Sequence, residues 1–383
     1  MKYWTIFWTA LRLGLTSFGG PAAHIGYFRA EYVERKKWLD EKSYSDLVAL
    51  ANFLPGPSSS QVGIAVGTLR GGLLGGILAW LGFTLPSAAV LVIFAAWAKG
   101  VEEAGWLHSL KLVAVAVVAQ AVWEMSQKLA PDRTRKTLLI GASMLLLLIS
   151  SPYLQLAALI ACGMIGYLVY RGSAGESTEA VVFPVSKRTG LLSLGLFGLL
   201  LVALPAWRAV SSSEWLALFD MMYRTGSLVF GGGHVVLPLL EPQLVDTGMM
   251  GKGMFLAGYG AAQAVPGPLF TFASYIGGVT KGAAGAAVAT IGMFLPGFLL
   301  IIGGLPFWQT LRQHRIMRPA LLGVNAGVIG ILLAALYDPI FTSSVRSALD
   351  AVLALAYFAL LVIWRQPPWL VVLAAVGIGL VIL

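Results

Sequence analysis

Apolar residues fall along this chain in long unbroken blocks, not in one-sided stripes. Blocks at 74–98, 108–123, 137–150, 153–170 and 191–206 are separated by short polar segments. A soluble helix keeps a polar face, whereas a block apolar all round belongs in a buried or lipid setting. The pattern predicts an all-α polytopic membrane protein. Other apolar stretches are broken, and the breaks come twice in the same order. Arg12, Phe18-Gly19-Gly20, His24, Pro55-Gly56-Pro57 and Leu85-Pro86 recur as Arg224, Phe230-Gly231-Gly232, His234, Pro266-Gly267-Pro268 and Leu295-Pro296. Interrupted apolar segments at matching places in two halves are the sequence signature of a transporter site near the bilayer midplane.

The repeats predict three parts. Residues 1–170 form the first repeat and 213–383 the second. Between them, 171–212 holds a polar linker, with Gly172, Ser173, Gly175, Glu176, Ser177 and Glu179, followed by one apolar span at 190–207. Lys2 before an apolar stretch resembles a signal peptide. Arg12 interrupts that stretch, however, and its counterpart recurs at 213–230, so the segment is expected to be structural.

Loop charges orient the repeats. The 29–42 loop carries Arg29, Arg35, Lys36, Lys37 and Lys42, while its counterpart at 241–253 has Lys252 beside Glu241 and Asp246. The next pair reverses: Glu102 and Glu103 in one repeat, Arg312, Arg315 and Arg318 in the other. Positive loops stay cytoplasmic, so the repeats are expected to be inverted, with 29–42, 131–136, 171–188 and 312–318 inside. A helix needs about 20 residues to cross. Segments 44–54 and 58–70 are too short, and 72–98 crosses alone. The Pro-Gly-Pro unit is therefore expected to enter and leave on one side as a re-entrant hairpin. Parity extends this to the Phe-Gly-Gly units, for which a kinked, tilted span is the alternative. The count is four re-entrant hairpins and about nine full spans.

Composition narrows the function. Of 383 residues, 58% are apolar and 11% charged, against about 25% charged in a soluble domain. The net charge of +9 is scattered between spans, which speaks against nucleic acid as a partner. The single cysteine, Cys162, permits neither an intrachain disulfide nor a cysteine metal cluster and is expected to be a buried small hydrophobe. No cofactor and no metal site is expected, because two histidines without carboxylate or thiolate neighbours are too few ligands.

Helix breaks in lipid leave N–H and C=O groups that need partners. Free N–H groups at a half-helix start favour an anion. Candidate anion contacts are Gly19, Gly20, Gly231, Gly232, Gly56 and Gly267, where backbone can approach closely, with Ser58, Ser59, Gln61 and Thr271 as nearby donors. Tight helix packing is the structural alternative for the glycines and prolines. Arg12 and Arg224 either grip an oxyanion bidentately or snorkel to the interface. His24 and His234 are neutral donors, titrating groups or structural hydrogen-bonders. Asn52 and Gln263 stand three residues before the Pro-Gly-Pro units, to read ligand or cap freed backbone; Asn325 is a further amide. Glu124, one turn beyond Gln120, reads as an interface acid sooner than a proton carrier, and Arg70 and Lys281 as helix C-terminal cations.

The stretches Leu11–Pro21, Phe53–Gly63, Leu81–Pro86, Phe230–Pro238, Gly258–Pro268 and Leu336-Tyr337-Asp338-Pro339 resemble the chromate ion transporter family in its long, two-domain form. Asn52 departs from the glutamine more usual there, keeping the amide with a shorter reach. The resemblance implies chromate efflux from the bacterial cytoplasm across the inner membrane, with chromate resistance and sulfate as isosteric competitor. Partners expected are the lipid bilayer and a second copy in a homodimer. Sulfate uptake by cation co-transport is the alternative, though carboxylates in the spans are few. A membrane-embedded lipid-phosphate enzyme lacks a convergent acid/base or nucleophile cluster.

Overall fold

The computed structural model describes residues 2–18, 20–98, 105–149, 152–172, 183–230, 233–308, 310 and 317–381. Among these the regular structure is helical. The helices are α1 (Lys2–Thr16), α2 (Gly20–Arg29), α3 (Glu41–Phe53), α4 (Ser58–Ala98), α5 (Gly105–Leu129), α6 (Arg133–Leu148), α7 (Pro152–Tyr170), α8 (Lys187–Val210), α9 (Glu214–Leu228), α10 (Val236–Leu244), α11 (Lys252–Ala264), α12 (Phe272–Gly304), α13 (Met317–Ala335), α14 (Ala348–Val362) and α15 (Pro368–Val381).

Two compact units emerge, and each draws on both sequence halves. One comprises Met1–Ala96, Ser177–Gly233 and Val265–Gln313; the other Trp97–Glu176, His234–Ala264 and His314–Leu383. The first unit holds the broken helices α1–α4, α9 and α12, with α8. The second holds α5–α7, α10, α11 and α13–α15.

In the first unit α4 and α12 are hairpins. Helical geometry fails at Gly71 and Gly72 (φ 64°) in α4 and at Lys281 and Gly282 (φ 67°) in α12. A methyl on Gly67 would run into the Gly75 carbonyl and one on Gly75 into that of Gly67; Gly277 and Gly285 stand in the same relation. Eight residues along a straight helix span about 12 Å, so the chain must reverse at each break. Ser274 Oγ and Thr290 Oγ1, 2.6 Å apart, bridge the limbs of α12. The positive φ explains a glycine at 72 and 282. Close approach of the limbs explains the small residues, because in lipid helices associate by van der Waals contact. α1 packs on the second limb of α4 with Gly14 against the carbonyls of Gly82 and Phe83, and α9 packs on the second limb of α12 with Gly226 against Met293. The reversals make 58–70 and 72–98 separate limbs, as the span-length argument expects.

In the second unit α13 lies against α6 and α7, with Gly330 at the Leu139 carbonyl and Gly323 at Cys162 and Gly166. Cys162 is buried, as expected. α5 is flanked by α11, through Gly260 at Leu110, and by α15, through Gly379 at Trp106.

By length and composition five described segments can cross a membrane: Ser58–Ala98, Gly105–Leu129, Lys187–Val210, Leu269–Phe307 and Pro319–Ser344. α8 exposes Leu192, Leu199 and Val202, a surface suited to lipid and not to water. The chain is thus a multi-pass membrane protein. The expected total of about nine full spans is not reached by this measure: α6, α14 and α15 have 16, 15 and 14 residues, roughly 21–24 Å at helical rise against a core of about 30 Å. Linker residues 173–182 and the basic positions Arg312 and Arg315 lie outside the described residues.

Candidate functional site

The Pro-Gly-Pro breaks follow from local sterics. Leu54, preceding Pro55, is pushed out of helical conformation (φ −87°, ψ 149°) and ends α3. Gly56 takes φ 117° and Gly267 φ 100°, open to glycine. Their N–H groups are not left free. Gly56 donates to the Val229 carbonyl at 2.7 Å, and Gly267 donates to the Ser17 carbonyl at 2.8 Å. Each Pro-Gly-Pro turn therefore docks on the residue before the Phe-Gly-Gly turn of the other repeat. Such reciprocity is what a two-fold relation produces. The N–H groups of Gly56 and Gly267 thus join the two repeats.

The donors left over lie mostly after the first breaks. α1 stops at Thr16 and α2 restarts at Gly20, which has φ 79° and open space around its Cβ position. His24, on α2, is buried; its Nδ1 lies 3.2 Å from Ser59 Oγ and its ring sits edge-on to Phe83. Ser58, Ser59 and Ser60 form the first turn of α4, where N–H groups have no intrahelical acceptor. Gln61 is fully buried and ties the break: Nε2 donates to Pro55 O at 2.9 Å and to Gly297 O at 3.2 Å. The buried atoms Ser17 Oγ, Ser60 Oγ, Gln61 Oε1 and Thr84 Oγ1 have no hydrogen-bond partner among the described residues. Thr271 is satisfied locally, its Oγ1 donating to Pro268 O at 2.7 Å.

The arginines are engaged by carboxylates. Arg224 Nη2 lies 2.7 Å from Asp220 Oδ2, which also takes Arg208 Nη1 at 3.3 Å. Arg12 Nη1 stands 4.0 Å from Glu31 Oε2, held more closely by Arg35 at 3.1 Å. Sequence reasoning passed over Asp220 and Glu31. The usable signal was spacing, since Asp220–Arg224 and Glu31–Arg35 are both i,i+4 pairs. Asn52 is exposed on α3. Arg70 stacks over Trp38, and Lys281 pairs with Glu214 and lies over Trp215.

The remaining candidates belong to the second unit. His234 Nδ1 lies 2.7 Å from Tyr259 Oη, so the two histidines bond to unrelated partners despite their similar place after Phe-Gly-Gly. Gln263 lies beside the Tyr259 hydroxyl, and Asn325 is part-buried on α13. Glu124 bonds to Gln120 in an exposed position, as befits an interface acid. This unit also contains a 280 Å³ cavity whose lining includes Glu241, Asp246, Asp338 and Lys252, an acidic setting unsuited to a dianion. Gly19, Gly231 and Gly232 lie outside the described residues. Among the described residues no group of three His, Cys, Asp or Glu side chains could hold a metal ion.

Comparison with known proteins bears on what this arrangement carries. A family model described as chromate transporter matches residues 4–167 and 216–380. An uncharacterized transporter of Methanocaldococcus jannaschii is 28% identical over 99% of this chain and 94% of its own. A chromate transport protein of Pseudomonas aeruginosa is 28% identical over 88% of this chain and 81% of its own, and a probable chromate transport protein of Synechococcus elongatus is 30% identical over 85% and 81%. No solved structure matches the chain.

Proposed function

The chain belongs to the chromate transporter family, and on that footing we propose that it is a secondary transporter exporting chromate, a divalent tetrahedral oxyanion, across the cytoplasmic membrane and so conferring chromate resistance. The observation that carries this reading is a pair of buried hydroxyls without partners among the described residues, Ser17 Oγ and Thr84 Oγ1, on the segments that the paired breaks interrupt. A buried polar atom without a partner is costly. A ligand that supplies acceptor oxygens removes that cost. Export is favoured by the membrane potential: each charge moved through 100 mV is worth about 2.3 kcal/mol, hence roughly 4.6 kcal/mol for a dianion leaving an inside-negative cell. No Gly-x-x-x-x-Gly-Lys-Ser/Thr loop for ATP occurs in the sequence. Sulfate, isosteric with chromate, competes. Reciprocal docking supports inverted repeats, and the transporter is proposed to work as a homodimer.

Reconstituted vesicles with an imposed potential test the reading. Chromate should move toward the positive side, faster with larger potential, and sulfate should inhibit. Indifference to potential together with no inhibition by sulfate would remove the divalent-anion reading. Sulfate uptake driven by a co-transported cation is the second reading, favoured by the acidic cavity of Glu241, Asp246 and Asp338. It requires sulfate accumulation that collapses when the cation gradient is removed. Cysteine labelling tests the inversion: a cysteine at Lys37 should react only from the cytoplasm and one at Asp246 only from outside.

A further inference from the structure

The two docking junctions share a backbone but not a chemistry. Where the second Pro-Gly-Pro turn meets the first Phe-Gly-Gly turn, Gly267 lies against Ser17, Ser87 and Phe83. Its N–H bonds to Ser17 O, and a Cβ there would stand 2.9 Å from Ser87 Oγ and 3.3 Å from Phe83 O. The His24 ring meets Phe83 in a T-shaped contact and hydrogen-bonds to the Ser17 backbone. Ser87 Oγ donates to Thr84 O at 3.0 Å. Ser17, His24, Thr84 and Ser87 thus surround Gly267 and Phe83, and they are 0%, 1%, 3% and 1% exposed. Two of them hold a buried hydroxyl with no partner among the described residues, Ser17 Oγ and Thr84 Oγ1, while the His24 ring is held by Ser59 and the Ser17 backbone.

At the other junction the matching residues are apolar or absent. Val229 stands for Ser17, Phe294 for Thr84 and Gly297 for Ser87; Phe270 replaces Ser59, the hydrogen-bond partner of His24. The space beside Gly56 is taken by Gly297 Cα at 3.1 Å and the Gln61 amide at 3.2 Å, with Gln61 stapled across to Pro55 and Gly297. Unpaired buried hydroxyls cost stability. That cost appears at Ser17 and Thr84, where the other repeat has Val229 and Phe294; at the Gln61 junction the unpaired buried atoms among the described residues are Ser60 Oγ and Gln61 Oε1, the latter an acceptor with no hydrogen to offer an anion.

We infer that a fully ionised tetrahedral oxyanion binds at only one of the two junctions, that of Ser17, His24, Thr84 and Ser87 with the second Pro-Gly-Pro turn, while the Gln61 junction, stapled by the Gln61 amide, binds none. The inference rests on the transport reading above and gives its substrate a place. Ser17 and Thr84 supply two hydroxyl donors, and the ligand supplies only acceptors.

Sulfate and chromate binding to the purified full chain in detergent, by equilibrium dialysis, tests this, together with thermal unfolding without anion. The wild type should bind one anion per chain. Ser17→Ala and Thr84→Val should each weaken binding about tenfold or more, as expected for a hydrogen bond to a charged group. The same variants should unfold at an equal or higher temperature when anion-free, because each removes an unpaired buried hydroxyl; a purely structural hydroxyl would lower it. Val229→Ala and Phe294→Leu should keep wild-type affinity. Two equivalent anions per chain, or full affinity in both hydroxyl variants, would overturn the one-sided site. A wild type that neither binds nor transports either anion would instead overturn the transport reading on which it rests.

Discussion

Arg12 and Arg224 occupy the same place in the two repeats, six residues before the phenylalanine of a Phe-Gly-Gly break, yet they live in different electrostatics. Arg224 meets Asp220, a carboxylate with no solvent exposure, at 2.7 Å; Arg12 meets Glu31 at the 4.0 Å limit, with 59% of its own side chain exposed. Asp220 comes from the same helix as its arginine, whereas Glu31 comes from the segment after α2 and favours Arg35. At the repeat-one position matching Asp220 stands Trp8. The backbone devices of the repeats coincide to the residue, while the charges near them were settled separately. The glycines are held by sterics that both halves share. A carboxylate needs only some cation nearby, and several positions can provide it.

The comparison can be broken most sharply at Asp220. Asp220 is fully buried while Arg208 and Arg224 are 43% and 37% exposed, so Asp220→Ala should cost about 2–3 kcal/mol for its charge-assisted bonds, and Glu31→Ala, whose arginines are more exposed still, about 1 kcal/mol or less. Equal losses in denaturant unfolding of the two variants would erase the distinction. The shared backbone makes the opposite forecast. Gly56→Ala and Gly267→Ala each force an L-residue into positive φ, and both should lose roughly 2 kcal/mol. A large loss in one alone would show that the reciprocal docking bonds are not equivalent.

A third arginine–carboxylate pair, outside the spans, sharpens the scale. Asp132 caps α6: it accepts from the Arg135 N–H at 2.9 Å and from Tyr170 Oη at 2.7 Å. Burial alone would raise its pKa, but these bonds and the Arg135 guanidinium hold it down to about 2. A depressed folded pKa means that its stabilisation is present above the unfolded value near 3.8 and is lost as pH falls toward about 2. Asp132→Ala should cost about 1 kcal/mol as a lost cap, and the deficit against wild type should shrink between about pH 4 and pH 2. A deficit constant through that window would assign the effect to something other than the carboxylate. The smallest effect belongs to Arg12→Ala, about 0.5 kcal/mol or less for an exposed pair. Against it, Arg12→Lys should still impair transport if the planar guanidinium touches the anion; normal transport in a folded Arg12→Lys variant would make this arginine an interface anchor.

Much of the architecture was legible in the chain. Apolar blocks too long and too even for a soluble helix placed it in a membrane. The Phe-Gly-Gly and Pro-Gly-Pro marks fall at breaks, whereas Leu85-Pro86 and Leu295-Pro296, expected to break the chain, lie inside helices; the shortness of 44–54 and 58–70 required the chain to turn back, as it does at Gly71 and Gly72. These are local matters: proline and glycine decide backbone angles whatever surrounds them, and a helix of fixed rise either reaches across a bilayer or does not. Which group meets which was decided in three dimensions. Nothing near Gly56 in the sequence points to Val229, nor near Gly267 to Ser17, because each bond joins segments well over a hundred residues apart. The mixing of both repeats in each compact unit, the capture of Arg224 by Asp220 and the unpaired state of Ser17 and Thr84 have the same origin. A half-helix in lipid cannot satisfy its own broken end, so its partner is set by whatever the rest of the fold brings there.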